Sequence, residues 1–148
     1  MRNFILIILW LVAMPASIRA SDPIIFVSAF TAGEEGAIHA YRFDSRSGQL
    51  KLLQRTTDVE NPFFLAISPD QRFLYAIDAK KFGGQEEEFV AAYAFEAVAG
   101  KLRRLNRQGA RGTASCYLDV DASGKSVLVA NYASGTVAAL PVRDDGSL

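Results

Sequence analysis

The chain repeats itself at intervals of about fifty residues, and that period limits the folds open to it. Ile38-His39-Ala40-Tyr41-Arg42-Phe43, followed by Gly48-Gln49-Leu50, returns as Val90-Ala91-Ala92-Tyr93-Ala94-Phe95, followed by Gly100-Lys101-Leu102. It returns again as Val137-Ala138-Ala139-Leu140-Pro141-Val142, followed by Gly146-Ser147-Leu148. The spacings are 52 residues and then 46 to 47. An interleaved block, Ala66 to Ala76, aligns with Asp119 to Val129 at a spacing of 53. Short-strand repeats of about 40–50 residues mark the blades of a β-propeller.

The local signals agree. Ile24 to Ala29, Phe73 to Ile77 and Val127 to Ala130 are short runs rich in apolar and β-branched residues. Ala37 to Phe43, Val90 to Phe95 and Thr136 to Val142 follow them. Each of these leads into a turn that ends in glycine, a residue suited to positive φ. No 3.6-residue period is sustained beyond the first twenty residues, so the chain reads as all-β.

Lettering strands A to D from the inside of a blade outward, the middle repeat is complete. A lies near Phe63 to Ile67, B at Arg72 to Ile77, C at Val90 to Phe95 and D at Lys101 to Arg107. The first repeat has only B, C and D. The last has A at Ala114 to Val120, then B and C, with D barely begun at Leu148. The expected organisation is an incomplete propeller domain over 21–148, with blades at about 23–58, 61–110 and 113–148, the last truncated. About two and a half blades of four-stranded antiparallel sheet cannot close a ring, since propellers have about four to eight. The chain therefore reads as a piece of a longer protein whose lost C-terminus returns to complete the first blade. A ring assembled from several copies is the alternative.

Residues 1–20 stand apart. Arg2, an apolar run from Phe4 to Met14 and Ile18-Arg19-Ala20 before a cut read as a secretory signal peptide. The run is too short for the roughly 20 residues that span a bilayer. The expectation is an exported protein, periplasmic or secreted, with no membrane attachment after cleavage. Setting aside Arg2 and Arg19 lowers the 16 Lys+Arg to 14 against 16 Asp+Glu, a net charge near −2. That balance argues against nucleic acid as a partner. Lys101, Arg103, Arg104 and Arg107 cluster on one outer strand, where charge blocks unwanted strand pairing.

Several chemistries find no support. Cys116 is the single cysteine, so no internal disulfide forms, and its neighbours suggest a small buried apolar role. His39, the single histidine, sits on a C strand far from the axis, as a surface or inter-blade residue. Asp119-x-Asp121-x-Ser123-Gly124 mimics a calcium loop, but its twelfth position is Ala130, and the flanks are strands where helices are required. It aligns with Ser68-Pro69-Asp70-Gln71 and reads as the A–B turn. The loop 79–88, with Gly83-Gly84 and Glu86-Glu87-Glu88, reads as a solvated insertion. No metal site, cofactor motif, phosphate loop or Gly-x-Ser-x-Gly elbow is present in the sequence.

From Ser115-Cys116-Tyr117 through Asp119-Val120-Asp121, Ser123-Gly124-Lys125 and Ala130-Asn131-Tyr132 to Gly146-Ser147-Leu148, the chain resembles a particular family. This is the bacterial propeller-type 6-phosphogluconolactonases, which also includes the fungal carboxymuconate cyclases. Asn61 to Asp70 matches as well, and the resemblance covers about residues 23–148, roughly the first third of a family member. It implies a seven-bladed propeller that hydrolyses a sugar δ-lactone, a small-molecule substrate, with no known cofactor. Family members often carry histidine where this chain has Tyr117. The family's proposed histidine, arginine and acidic site residues lie in later blades, so no catalytic residue carries over.

Lactone hydrolysis needs a base for water and donors for the developing oxyanion. In a propeller such groups converge on the central channel from inner strands and one rim of loops. Tyr117, on an inner strand, and Asn131 and Tyr132, where strand B gives way to a loop, are the candidate substrate-binding residues. The alternative is that Asn131 fixes a turn and both tyrosines pack between blades. Function hypotheses follow in order: a lactonase; a non-enzymatic extracytoplasmic propeller binding a protein or glycan; and, third, a carboxymuconate cyclase.

Overall fold

The structure, a computed structural model, describes residues 22–30, 38–96 and 98–148. Residues 1–20, for which the sequence suggests a signal peptide, and the loop at 31–36 lie outside the described residues. The described chain contains ten strands and no helix. They are β1 (Ile24–Ser28), β2 (Ile38–Phe43), β3 (Leu50–Thr56), β4 (Leu65–Ile67) and β5 (Phe73–Asp78), then β6 (Phe89–Glu96), β7 (Lys101–Gly109), β8 (Ser115–Val120), β9 (Ser126–Asn131) and β10 (Thr136–Pro141). They pair antiparallel in three sheets, β1-β2-β3, β4-β5-β6-β7 and β8-β9-β10. This is the expected part-propeller: a complete four-stranded sheet between two three-stranded ones.

The sheets stack because alternate residues of each strand point to opposite faces. On β5, Phe73, Tyr75 and Ile77 join Leu118, Val127, Val129 and Leu140 of the third sheet in one core. Leu74 and Ala76 join Ile38 of the first sheet and Tyr93 in the other. All six β5 residues are thus buried. The outer sheets each leave one apolar face open. Ile25, Val27 and Leu52 are exposed on the first, and Tyr117, Leu128 and Val137 on the third.

Two details repeat with the sequence. A bulge interrupts β2–β3 at Ala40/Tyr41 and β6–β7 at Ala92/Tyr93, one repeat apart. The A–B turns bring Gln71 to φ 57° and, 53 residues on, Gly124 to φ 72°. Asp121 accepts backbone N–H bonds from Lys125 and Ser126 at 2.7 Å, so the calcium-like stretch is a turn, as expected. The turns between C and D strands end at Gly48, Gly100 and Gly146, all at positive φ. Gly100 sits on Leu53 and Ala40 of the first sheet, Gly146 on Phe73 of the second, and Gly48 faces open space. The Gly100 and Gly146 turns are thus pegs seated on the preceding sheet. Tyr75 Oη donates to the Gly146 carbonyl at 3.1 Å, securing the last peg.

The basic outer strand β7 does more than guard an edge. Arg104 Nη2 meets the buried Asp78 carboxylate at 2.7 Å, and Arg107 lies 3.7 Å from the same oxygen. Cys116 is partly exposed, a departure from the buried role expected of it, and its thiol points to the Ala130 carbonyl at 3.8 Å.

Candidate functional site at the loop rim

β4 and β8, the innermost strands of their sheets, lie against each other. Strand direction puts the starts of β4 and β8 at the same rim as the ends of β1, β5 and β9. That rim carries the D–A linkers (57–64 and 110–114) and the B–C loops (79–88 and 132–135).

Side chains of the B–C segments anchor the linkers. Asp78 Oδ1 accepts from Glu60 N at 3.0 Å, and Asn61 Nδ2 donates to the Ala79 carbonyl at 2.9 Å. The Arg104 guanidinium also donates to the Asp58 carbonyl. The Tyr93 hydroxyl donates to Asp58 Oδ1 at 3.3 Å, and burial, then the Asp58 charge, push that phenol well above its ordinary range. In the next linker, buried Glu88 accepts from Ser115 N at 2.6 Å and from Gly83 N at 3.1 Å. Glu87 accepts from Arg111 N at 2.8 Å. The linkers need this anchoring, because Asn61 (φ 42°), Arg111 (φ 60°) and Ala114 (φ 53°) are non-glycine residues in the left-handed region.

Asn131 occupies the repeat position of Asp78, 53 residues later, and has the same kind of task. Its Nδ2 donates to the Ala110 carbonyl at 2.9 Å and to Thr136 Oγ1 at 3.2 Å. Its Oδ1 accepts from Ser115 Oγ at 2.7 Å. The residue is 2% exposed. An amide so engaged has no free donor for a substrate, so the sequence-derived role as a substrate donor gives way to a positioning role. Tyr132, its neighbour, is 82% exposed at the rim. Tyr117 is 50% exposed, with its ring centroid 4.7 Å from that of Phe64 on the neighbouring inner segment. It also lines a shallow cavity of about 480 Å³ with Leu128 and Val137 on the open face of the third sheet. The three candidates therefore do not converge on one point.

A different group does converge. Phe63 stacks on Phe82 with centroids 4.7 Å apart and planes 12° apart. Phe30 sets its ring nearly perpendicular to both, at 6.0 and 5.7 Å. These rings come from the end of the first B strand, the linker and the second B–C loop, and Phe30 and Phe63 are 58% and 44% exposed. The same loop borders a cavity of about 1000 Å³ in which Glu60, Glu86, Glu87 and Glu88 face Lys80, Lys81 and Arg107. Among the described residues, no group of three or more His, Cys, Asp or Glu is placed to hold a metal ion.

Comparison with known proteins places this geometry. Residues 24–148 match the family model described as "Lactonase, 7-bladed beta-propeller". A 6-phosphogluconolactonase of Bacillus subtilis is 34% identical over 123 residues, 83% of this chain and 34% of that protein. A solved structure from Bacteroides fragilis, provisionally named a 6-phosphogluconolactonase, superposes with a TM-score of 0.78 at 31% identity, covering 89% of this chain and 35% of that one. The periplasmic gluconolactonase of Pseudomonas aeruginosa gives 0.73 at 31% identity, covering 84% and 36%. The chain spans about a third of the length of the relatives it matches. With its repeats, its stacked antiparallel sheets and this match over nearly all the described residues, the chain belongs to the lactonase family of seven-bladed β-propellers.

Proposed function

We propose that this chain is the N-terminal part of an exported lactonase that opens a sugar lactone of the gluconolactone type. The family match over 24–148 carries this reading. The two uncovered sheet faces support the further point that more blades flank these three on both sides, as in relatives about three times as long. The apolar run behind Arg2 supports export, as does likeness to an enzyme named periplasmic. The general base and the oxyanion donors then come from blades beyond Leu148. This part contributes the rim: Tyr132 is exposed there for a bound sugar, Asn131 holds the linker beside it, and Tyr117 packs on the sheet face that the next blade covers. Taken alone, these 148 residues are expected to hydrolyse nothing.

The test is expression of the longest reading frame carrying this sequence, followed by lactone hydrolysis measured by acid release above the spontaneous rate. Turnover of glucono-δ-lactone, with or without a 6-phosphate, is the expected result. A folded full-length product inert on both substrates, yet retained on a protein or glycan partner, establishes the non-enzymatic alternative instead.

A further inference from the structure

We infer that Glu88, at the end of the second blade's B–C loop, is a positioning residue for the rim of the third blade. Through the linker between the two blades it holds the loop 132–135 that carries Tyr132. The role toward substrate rests on the lactonase reading and adds how that rim is kept in place.

Glu88 is 3% exposed and grips the linker with backbone and side chain together. Its N–H donates to the Gly112 carbonyl at 3.1 Å, and its carbonyl accepts from Ala110 N at 2.8 Å. Its carboxylate accepts from Ser115 N, the first residue of β8, at 2.6 Å and from Gly83 N in its own loop at 3.1 Å. Among the described residues it takes part in no ion pair, so these N–H donors offset the burial of its charge. Its neighbour Glu87 adds a second hold, on Arg111 N at 2.8 Å. The corresponding loop of the third blade, 132–135, contains no carboxylate, so the device belongs to this one boundary.

The linker in turn carries the rim loop. Tyr132 N donates to the Ala114 carbonyl at 2.8 Å, and Ala133 N to the Thr113 carbonyl at 3.2 Å. Thr113 N donates to Ser134 Oγ at 3.1 Å. A Cβ on Gly112 would lie 2.5 Å from both Asn131 Nδ2 and Ser134 Oγ, so linker and loop are pressed together without slack. Ser115 is where the two blades meet: its N–H goes to Glu88 and its hydroxyl to Asn131. Ala114, one residue earlier, holds φ 53°, a conformation that alanine leaves when its surroundings release it. Its carbonyl is the one that Tyr132 N uses. Loosening Glu88 therefore reaches Tyr132 through one strained residue and two hydrogen bonds. Glutamine at this position keeps the shape but turns one acceptor into a donor, which then faces an N–H.

The test uses the full-length enzyme as wild type, Glu88→Gln, Glu87→Ala and, as a control for general destabilisation, Gly48→Ala on the first blade. Hydrogen exchange read by mass spectrometry should show peptides over 130–135 exchanging about tenfold faster in Glu88→Gln and about threefold faster in Glu87→Ala. Glu87 is exposed, so its variant folds and decides the matter even where Glu88→Gln does not fold. KM for glucono-δ-lactone is expected to rise about fivefold in Glu88→Gln and about twofold in Glu87→Ala, with kcat within about twofold, the pattern of a weakened ground-state contact. Gly48→Ala should leave both readings at wild-type values. Wild-type exchange over 130–135 in the two glutamate variants, unchanged KM in both, or an equal effect of Gly48→Ala overturns the proposal while the lactonase reading stands. A wild type inert on lactones removes that reading and this role with it.

Discussion

The three C–D turn glycines form a graded series that tests how the sheets stack. A Cβ added at Gly146 would lie 2.2 Å from two carbons of the Phe73 ring, a rigid and buried neighbour. At Gly100 it would meet Leu53 Cδ1 at 2.9 Å and Ala40 Cβ at 3.2 Å, the first of which can swing aside. At Gly48 it would meet nothing within 4 Å. All three glycines have φ between 67° and 83°, so alanine costs about 1 kcal/mol at each for its left-handed backbone. Overpacking adds about 1–3 kcal/mol where the Cβ collides with a fixed neighbour. The expected losses are therefore about 1 kcal/mol for Gly48→Ala, about 2 for Gly100→Ala and about 2–4 for Gly146→Ala. Urea unfolding followed by far-ultraviolet circular dichroism reads these differences directly, with unchanged slopes as the control. In the full-length protein, a further blade behind the first sheet should lift the Gly48→Ala loss toward the Gly146 value. Equal losses for Gly48→Ala and Gly146→Ala in this chain, or a milder effect at Gly146, would refute the peg-on-sheet geometry.

Other consequences are open to measurement. Asn131→Ala strips the Ala110 carbonyl and the Ser115 hydroxyl of buried partners and should cost about 2–4 kcal/mol in urea unfolding, whereas Tyr132→Ala should cost under about 0.5. A small loss at Asn131 would return it to the list of substrate contacts. Burial holds the Tyr75 phenol up at about 12 against an ordinary value of 10, so the folded state favours its protonated form. Its contribution is complete below pH 10 and disappears as pH rises toward 12, and Tyr75→Phe should flatten the alkaline limb of a stability–pH curve. Gln71 holds φ 57° where the next repeat uses Gly124, so Gln71→Gly should raise stability by about 0.5 kcal/mol in thermal or urea unfolding.

Most of the fold was legible because the repeat carries it twice over. The B and C strands read from sequence agree with β5, β6, β9 and β10 to within one residue, since apolar alternation and terminal glycines mark both ends. Inner strand A was less distinct: β4 begins at Leu65, where the sequence suggested Phe63, although the Phe64 carbonyl already accepts from Ile77 N at 3.1 Å. The site was harder. Asn131 looked like a free donor because sequence shows the amide but not the Ala110 carbonyl that occupies it. The 53-residue equivalence with Asp78 was the clue that both residues hold linkers. The phenylalanine cluster left no local pattern, since its members lie 33 and 19 residues apart. Only the contrast of Phe63 with Cys116 across the repeat hinted at it. Arg104 read as edge charge because its partner, Asp78, lies two strands away in the same sheet.

The seating of the Gly100 and Gly146 turns on the sheets before them gives the molecule a direction. Gly100 needs Leu53 and Ala40, and Gly146 needs Phe73, so each contact reaches back to residues that leave the ribosome earlier. A nascent chain can lay each new wedge against the last and move on, while the rear face of the first sheet stays open until the ring closes. From the second sheet on, synthesis order and assembly order then coincide.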